Sequence, residues 1–578
     1  MKKIFLLIHF IAITFVLSAQ NVGINTLTPE GKLHIKGSAD TSQFVIDANS
    51  TQNNLRPLIK LRNSSGADLM WIHSDHPTNS FIGLNAGRVN NATGNPLGLY
   101  NTFIGSSAGH FNTTGYANTA NGYQALYLNT TGRFNIAIGN GALYSNRSGH
   151  ANTAIGVWAL SLNTGNLSTG LSNNTAIGYN ALSLNTAGID NTATGAWALY
   201  SNSTASDNTA IGKSALEIQS YNPGFDWVSG NVAVGNHALY ANQPTSTLNG
   251  INNTAVGSYA LIFNTTGTAN TANGYQALYS NIAGNYATAI GFNAMYYANN
   301  TASPFNNYNV AVGHEALRGS AIAPNNTGVW NTAIGSGSLL SNSSGNTNTA
   351  NGYHALDNNT IGSYNTAIGV NARNDDQSLS FNTILGAYAH VAFGASGSTV
   401  IGYQAVASAT NFIVLGSPPI AATGGYTPWS NFSDGRFKKN IHENVKGLEF
   451  ILHLRPITYQ MDVLGLYNFW GISPYGNEKM KADKKSVAFI DDAIRKKEAL
   501  VMTGFVAQEV EKAAKDCSYN FDGVVRPQHD KDHYRIAYEE FVVPLVKGMQ
   551  EQQKIIEEQN KKIDLLLKEI QLIKEKLK

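Results

Sequence analysis

Cysteine occurs once in 578 residues, at Cys517. That excludes an internal disulfide framework and any cysteine-rich metal centre, and it leaves Cys517 to be a small buried or half-buried apolar residue. Carboxylates are nearly missing from the middle of the chain. Between positions 79 and 430 there are eight: Asp190, Asp207, Glu217, Asp226, Glu315, Asp357, Asp375 and Asp376. Glycan depolymerases usually work with paired carboxylates, and calcium-binding β-rolls repeat Asp in every coil. None of the eight recurs at a fixed position, so both readings are disfavoured, and the adjacent Asp375 and Asp376 read as a solvated turn. Charge of either sign is thin there too, with 14 Lys, Arg, Asp and Glu in residues 79–430 against 48 in residues 431–578. Two physically different objects have been joined. The net charge of +2 gives no electrostatic case for nucleic acid or a membrane surface as partner.

Long apolar runs are also absent, except at the start. Lys2 and Lys3 precede a run of about fourteen residues from Ile4 to Leu17, followed by Leu17-Ser18-Ala19. This reads as a cleavable secretory signal over residues 1–19, the run falling short of the ~20 residues a membrane-spanning helix needs. An uncleaved anchor is the alternative. The mature chain is expected to have no membrane span and to be secreted or held at a cell surface. Residues 20–78 read as a small β unit, with a hairpin from Leu58-Ile59-Lys60-Leu61-Arg62 to Leu69-Met70-Trp71-Ile72 suited to capping a repeat array.

What the chain has in quantity is repetition. The phrase Asn-Thr-Ala-Ile-Gly-x-x-Ala-Leu-x-x-Asn starts clearly at Asn118, Asn152, Asn174, Asn208, Asn253, Asn331 and Asn365, with looser copies from Asn79 to Phe412. Of eighteen intervals between starts, ten are 17 residues and five are 22; a 22 is a 17 with five residues inserted in a turn. Fixed short periods mean a solenoid. Thr-Ala-Ile is a short strand with Ala or Ile inward, and Gly permits the corner. Ala-Leu supplies a second inward pair, as a strand or a single helical turn, before a polar Asn-Thr-Gly corner. Many Asn-x-Thr/Ser triplets are by-products of the repeat, and stacked Asn and Thr are expected to hydrogen-bond along the axis. Tyr123, Trp158, Trp197 and Tyr275 suit carbohydrate stacking or corner packing. A core of Ala, Ile and Leu is narrow, so three columns around one axis would bury more.

The Ala-Ile-Gly-x-x-Ala phrase resembles the head repeats of trimeric autotransporter adhesins over residues 79–416, although the period here is 17 rather than about 14. The resemblance implies a parallel β-roll and a homotrimer. It leaves open whether the shaft's ligand is a surface glycan, a protein or neither.

Pro418-Pro419, Gly424-Gly425 and Pro428 mark a linker over residues 417–430. Beyond it lies Ser433-Asp434-Gly435-Arg436-Phe437-Lys438, where a serine and a lysine stand five residues apart. Serine can be a nucleophile and a desolvated lysine its base. Ile441, Leu448, Ile451, Leu452, Leu454, Pro456, Ile457 and Tyr459 form an apolar helical stretch leading into a strand; Gly504-Phe505-Val506-Ala507-Gln508-Glu509-Val510 reads as strand into helix. The last segment is heptadic: Met549, Ile556, Ile563, Ile570 and Leu577 fall on one seam, Gln552, Gln559, Leu566 and Ile573 on the other. Ile at the first seam with mixed Leu and Ile at the second favours three strands.

These landmarks, in this order, resemble the C-terminal intramolecular chaperone domain of phage endosialidase tailspikes. The resemblance implies that residues 431–544 form a chaperone and autoprocessing domain, that residues 545–578 form a coiled coil, and that the domain trimerises the shaft and then cuts itself off. Carried onto this chain, the scissile bond is Phe432–Ser433, with Ser433 the nucleophile and Lys438 the general base. A lysine at its reference value near 10.4 is protonated at neutral pH, so the base needs desolvation or cationic neighbours, Arg436 or Lys439. Asp434 is expected to cap a turn, and Gln508 and Glu509 to be structural. No cofactor or metal is called for. The reading is a mainly β exported trimeric fibre with a smaller α+β domain at its end. The alternatives are an uncleaved adhesin with the tail as trimerisation anchor, and a glycan-degrading tailspike-like enzyme.

Overall fold

A computed structural model of the chain describes residues 22–24, 33–35, 44–47, 53–165, 170, 172–420, 423–424, 426, 430–476, 481–530 and 532–577. The signal segment expected at 1–19 lies outside the described residues, as does part of the linker expected at 417–430. Val22–Ile24 (β1) and Leu33–Ile35 (β2) pair in parallel. The expected hairpin is present as Ile59–Arg62 (β3) and Asp68–His73 (β4). β4 then pairs antiparallel with the first strand of the shaft, Ser80–Ile82 (β5), and so covers the start of the array.

From β5 to Ile413–Leu415 the chain winds as a β-solenoid, one short parallel strand per coil stacking on the last. Register is set by the repeat: Thr175 meets Thr192 and Ala176 meets Ala193. In each Thr-Ala-Ile strand the Ala is buried and the Ile faces out, which settles which of the two points inward. The Ala and Leu four and five residues beyond the strand also lie in the core, as at Ala159 and Leu160. That second pair sits neither on a strand nor on a helical turn. It rides on a run of turns in which Leu160, Leu182, Leu199 and their counterparts take φ near +50°, a left-handed conformation costing L-residues ~1–2 kcal/mol each. The bend is held by coil-to-coil backbone bonds, such as Leu182 N–H to the Ala198 carbonyl at 2.9 Å. The first two coils vary the plan: Phe81 and Phe103 replace the strand Ala, their rings stacked 5.2 Å apart. Gly87 and Gly109 replace the Leu, and a side chain there would meet those rings.

Much of the interior is polar. Asn101, Asn118, Asn135 and Asn152 form a buried column in which each Oδ1 accepts the backbone N–H of the next, at 3.0–3.1 Å. A second column, Asn112, Asn129, Asn146 and Asn163, runs beside it with Nδ2-to-Oδ1 bonds of 2.6–2.9 Å. The columns meet at shared acceptors: Asn118 and Asn129 both donate to the Gly132 carbonyl. The sequon-like triplets at Asn112, Asn129 and Asn146 are therefore buried ladder members rather than surface acceptors. Where the column loses its Asn at Ala287, the N–H of Asn309 turns to Asn307 Oδ1 at 2.9 Å. A buried N–H without an acceptor costs ~1–3 kcal/mol, so Asn118→Ala, which strips the Asn135 N–H of its partner, should lower unfolding stability by that amount in denaturant titration.

Histidines mark the early coils. Burial, then the charge of Arg133, pushes the His150 imidazole below its ordinary value, and its Nδ1 accepts the Arg133 N–H at 3.3 Å. Burial, then Arg88, does the same to His110. A depressed imidazole is neutral in the fold while the unfolded chain takes up a proton near 6.5, so stability is complete above pH 6.5 and falls below it. The thermal midpoint is expected to drop from pH 7.5 to pH 5, with His150→Asn flattening the slope; an unchanged midpoint over that range counts against this account.

The region after the linker is α+β. It contains the helices Leu448–His453 (α1), Val463–Trp470 (α2), Lys484–Ala499 (α3) and Ala507–Asp516 (α4), the antiparallel strand pair Ile457–Tyr459 with Met502–Gly504, and the 35-residue helix Val542–Lys576 (α5). Phe450, Val510, Ala513, Cys517, Phe521 and Phe541 make its core, with Cys517 buried as expected. α5 is pinned at its start, where Glu551 accepts the Leu448 N–H at 2.7 Å. Both seams beyond that point are exposed, Ile563 at 52% and Leu566 at 55%. No helix among the described residues is long and apolar enough to cross a membrane.

Candidate processing site

Ser433 and Lys438 are brought together by a single short turn. Asp434 caps the 3₁₀ segment Gly435–Phe437 by accepting the Arg436 N–H at 2.9 Å. The turn closes through Phe437 N–H to the Asp434 carbonyl and Lys438 N–H to the Gly435 carbonyl. The reversal brings Lys438 Nζ to donate to Ser433 Oγ at 2.8 Å. Asp434 is thus the turn cap that the sequence suggested. Its carboxylate also engages the Arg436 guanidinium, which holds Asp434 below the usual carboxylate range and raises Arg436. Arg436 is therefore committed to Asp434 rather than to Lys438. The Phe432 and Phe437 rings, 5.4 Å apart, flank the turn, and Asn431 donates to Glu539 at 3.3 Å.

Phe432, Ser433, Lys438 and Lys439 are all exposed. Among the described residues of the single chain, nothing supplies the desolvation that a neutral lysine requires. Glu509 pairs with Arg455, a surface contact as its structural reading anticipated.

The other sequence candidates separate by their partners. Asp375 faces Arg373 at 3.4 Å and His390 at 3.5 Å, while Asp376 accepts from Ser378 within its own turn. Each carboxylate has its own structural role. Tyr275 stacks on Phe292 at 5.4 Å and 14°, and Phe292 on His314 at 5.2 Å and 6°; Trp158 packs by Tyr144 and Trp197 by Tyr179. Tyr275 meets its neighbour face to face and Trp158 and Trp197 meet theirs tilted or edge-on, which is corner packing, while all four of Tyr123, Trp158, Trp197 and Tyr275 keep exposed surface. A cleft of about 550 Å³ lined by Tyr403, Pro419, Ile420, Phe489 and Ile490 does not include Ser433. Among the described residues no group of His, Cys, Asp and Glu has the makings of a metal site.

What the sequence did not reveal is a second polar centre. Asp532 is buried and binds Ser408 of the shaft at 2.9 Å and Arg535 at 2.8 Å. The 124 positions between Ser408 and Asp532 leave no local signal for it.

Residues 433–519 match the model of the Peptidase_S74 family, described as chaperone of endosialidase. The C-terminal region thus carries a domain of this chaperone type, and the match begins at Ser433. A search of curated proteins finds no match to the chain.

Proposed function

We propose that the chain is an exported homotrimeric fibre of the tailspike or adhesin kind. Its C-terminal chaperone domain brings three chains into register and is then severed at Phe432–Ser433. The observation that carries the cleavage is the 2.8 Å contact between Lys438 Nζ and Ser433 Oγ at the residue where the family match begins. Ser433 Oγ attacks the Phe432 carbonyl carbon, Lys438 takes the hydroxyl proton and passes it to the Ser433 nitrogen, and the C–N bond breaks to give a free amine and an ester of Phe432 on Ser433 Oγ. Water then hydrolyses the ester.

Two exposed apolar features support self-assembly. The outward strand positions, Ile155 against Ile177 for example, form a largely aliphatic row along the shaft, broken at Asn121, Thr194, Asn273 and Asn351. The α5 seams are uncovered for nearly the helix's length, a pattern that three copies would bury. Exposure of Ser433 and Lys438 in one chain fits a reaction that waits for assembly to dehydrate the lysine. Shaft chains left without their template would then be kinetically trapped in the folded state. Secretion, through a signal at 1–19, and surface binding by the shaft complete the reading.

Light scattering and a denaturing gel on purified 20–578 test it. A trimer that resolves into a shaft chain and a tail starting at Ser433 is expected. A full-length trimer would instead establish the uncleaved anchor, and glycan turnover the tailspike enzyme.

A further inference from the structure

The shaft and the tail touch through coil residues that lie ahead of the linker. We propose that the last coils of the shaft form a docking surface for the tail domain, so that cutting Phe432–Ser433 leaves the two products bound as a non-covalent complex.

The surface is built around Asp532, whose side chain is completely buried. It accepts from Ser408 Oγ at 2.9 Å, from Arg535 at 2.8 Å and from the Gln528 N–H at 2.8 Å. Arg535 also donates to Ser408 Oγ at 2.6 Å and lies over the Phe412 ring at 4.4 Å. The tail's Gln528 takes the backbone N–H of Thr410 at 3.0 Å. In the same coil, Gln404 of the shaft donates to the Ser473 carbonyl at 3.1 Å. Tyr403 packs into the small tail core of Val463, Tyr467, Ile490 and Ile494.

Burial works to raise the Asp532 carboxyl, and the bonds from Gln528, Arg535 and Ser408 outweigh it, so it stays ionised. A buried ion pair is worth most when every partner is in place and is costly once one is missing. Ser408 is the shaft's share of that set. All of these contacts lie at 403–412 on one side and 463–535 on the other, so severing residue 432 from 433 removes none of them.

The proposal uses the autoproteolysis reading only for where nature makes the cut, and its test avoids that chemistry. A specific protease sequence is inserted between Thr423 and Gly424 of the full chain carrying Ser433→Ala. The protein is cut and passed over a sizing column near physiological salt. Shaft and tail should co-elute from the cut protein, and Ser408→Ala should speed loss of the tail by ~10-fold or more. Phe412→Ala, a second shaft-side change that leaves the tail sequence intact, should weaken it in the same direction. Separation on cutting without any shaft substitution overturns the proposal, as does a tail that leaves both variants no faster.

Discussion

Ser433→Ala should yield only full-length chain on a denaturing gel where the unaltered protein gives a shaft and a 433–578 fragment, because it removes the hydroxyl proposed to attack the Phe432 carbonyl. Loss of a covalent nucleophile typically costs several orders of magnitude in rate, so no fragment is expected over hours. Lys438→Met should behave alike, since the methionine fills the space of the lysine stem but accepts no proton. Neither change removes a buried group, so the trimer should persist in both. Ile563→Asp separates chemistry from assembly. It leaves Ser433 and Lys438 untouched 2.8 Å apart and places a charge on the seam of α5. If assembly dehydrates the lysine, this variant remains monomeric and uncut. Full cutting by a monomeric Ile563→Asp chain would falsify the coupling while leaving the dyad intact.

The largest effect on stability is expected from the glycine that ends each strand. Gly195 sits at φ +130° with its backbone against the next coil; a Cβ there would lie 2.5 Å from the Gly212 carbonyl oxygen and 2.6 Å from its carbon. Those atoms are backbone, fixed by Gly212 N–H to the Thr194 carbonyl at 2.7 Å, so they have little room to give. Strain at such a φ costs about 1–3 kcal/mol and overpacking about as much again. Gly195→Ala should therefore lower stability by ~2–6 kcal/mol. In a solenoid the damage is local, because each repeat contacts only its neighbours. Hydrogen exchange should rise in the coils around 178–212 before it rises in distant ones, whereas uniform exchange along the shaft is the result that sinks this picture.

Much of the architecture was legible in the residues. The Asn-Thr-Ala-Ile-Gly phrase carried strand, corner and period, and the strands fall at its copies in register. The helix and strand landmarks read between Ile441 and Tyr459 and between Gly504 and Ala513, and the long heptadic helix, are present, the first helix starting only at Leu448. Local chemistry favours each of them without help from distant contacts. Ser433 and Lys438 could be paired from sequence because one capped turn joins them, and Asp434 was readable as the cap.

Other features had no such signal. Leucine is among the last residues expected in a left-handed conformation, yet Leu160 and Leu199 adopt it. Burial of the side chain and the bond ladder to the next coil offset the strain, and neither exists in an isolated repeat. Whether Ala or Ile points inward was undecidable from Thr-Ala-Ile alone. The folded coil decided it, with the strand Ala buried against the Ala and Leu of the facing turns and the Ile turned out.

The sequence by itself determined a repeating β shaft joined to a charged helical tail, with a serine and a lysine one turn apart at the seam. Periodicity and turn chemistry are local and need only neighbouring residues. The tertiary structure decided that the stacked asparagines lie buried inside the coils and that the outward row of the shaft is the one carrying the isoleucines, broken at Asn121, Thr194, Asn273 and Asn351. It also set the tail on the last coils through Asp532, Arg535 and Ser408. Each depends on groups from different coils or opposite ends of the chain meeting where water is excluded, and only there are the polar partners obligatory.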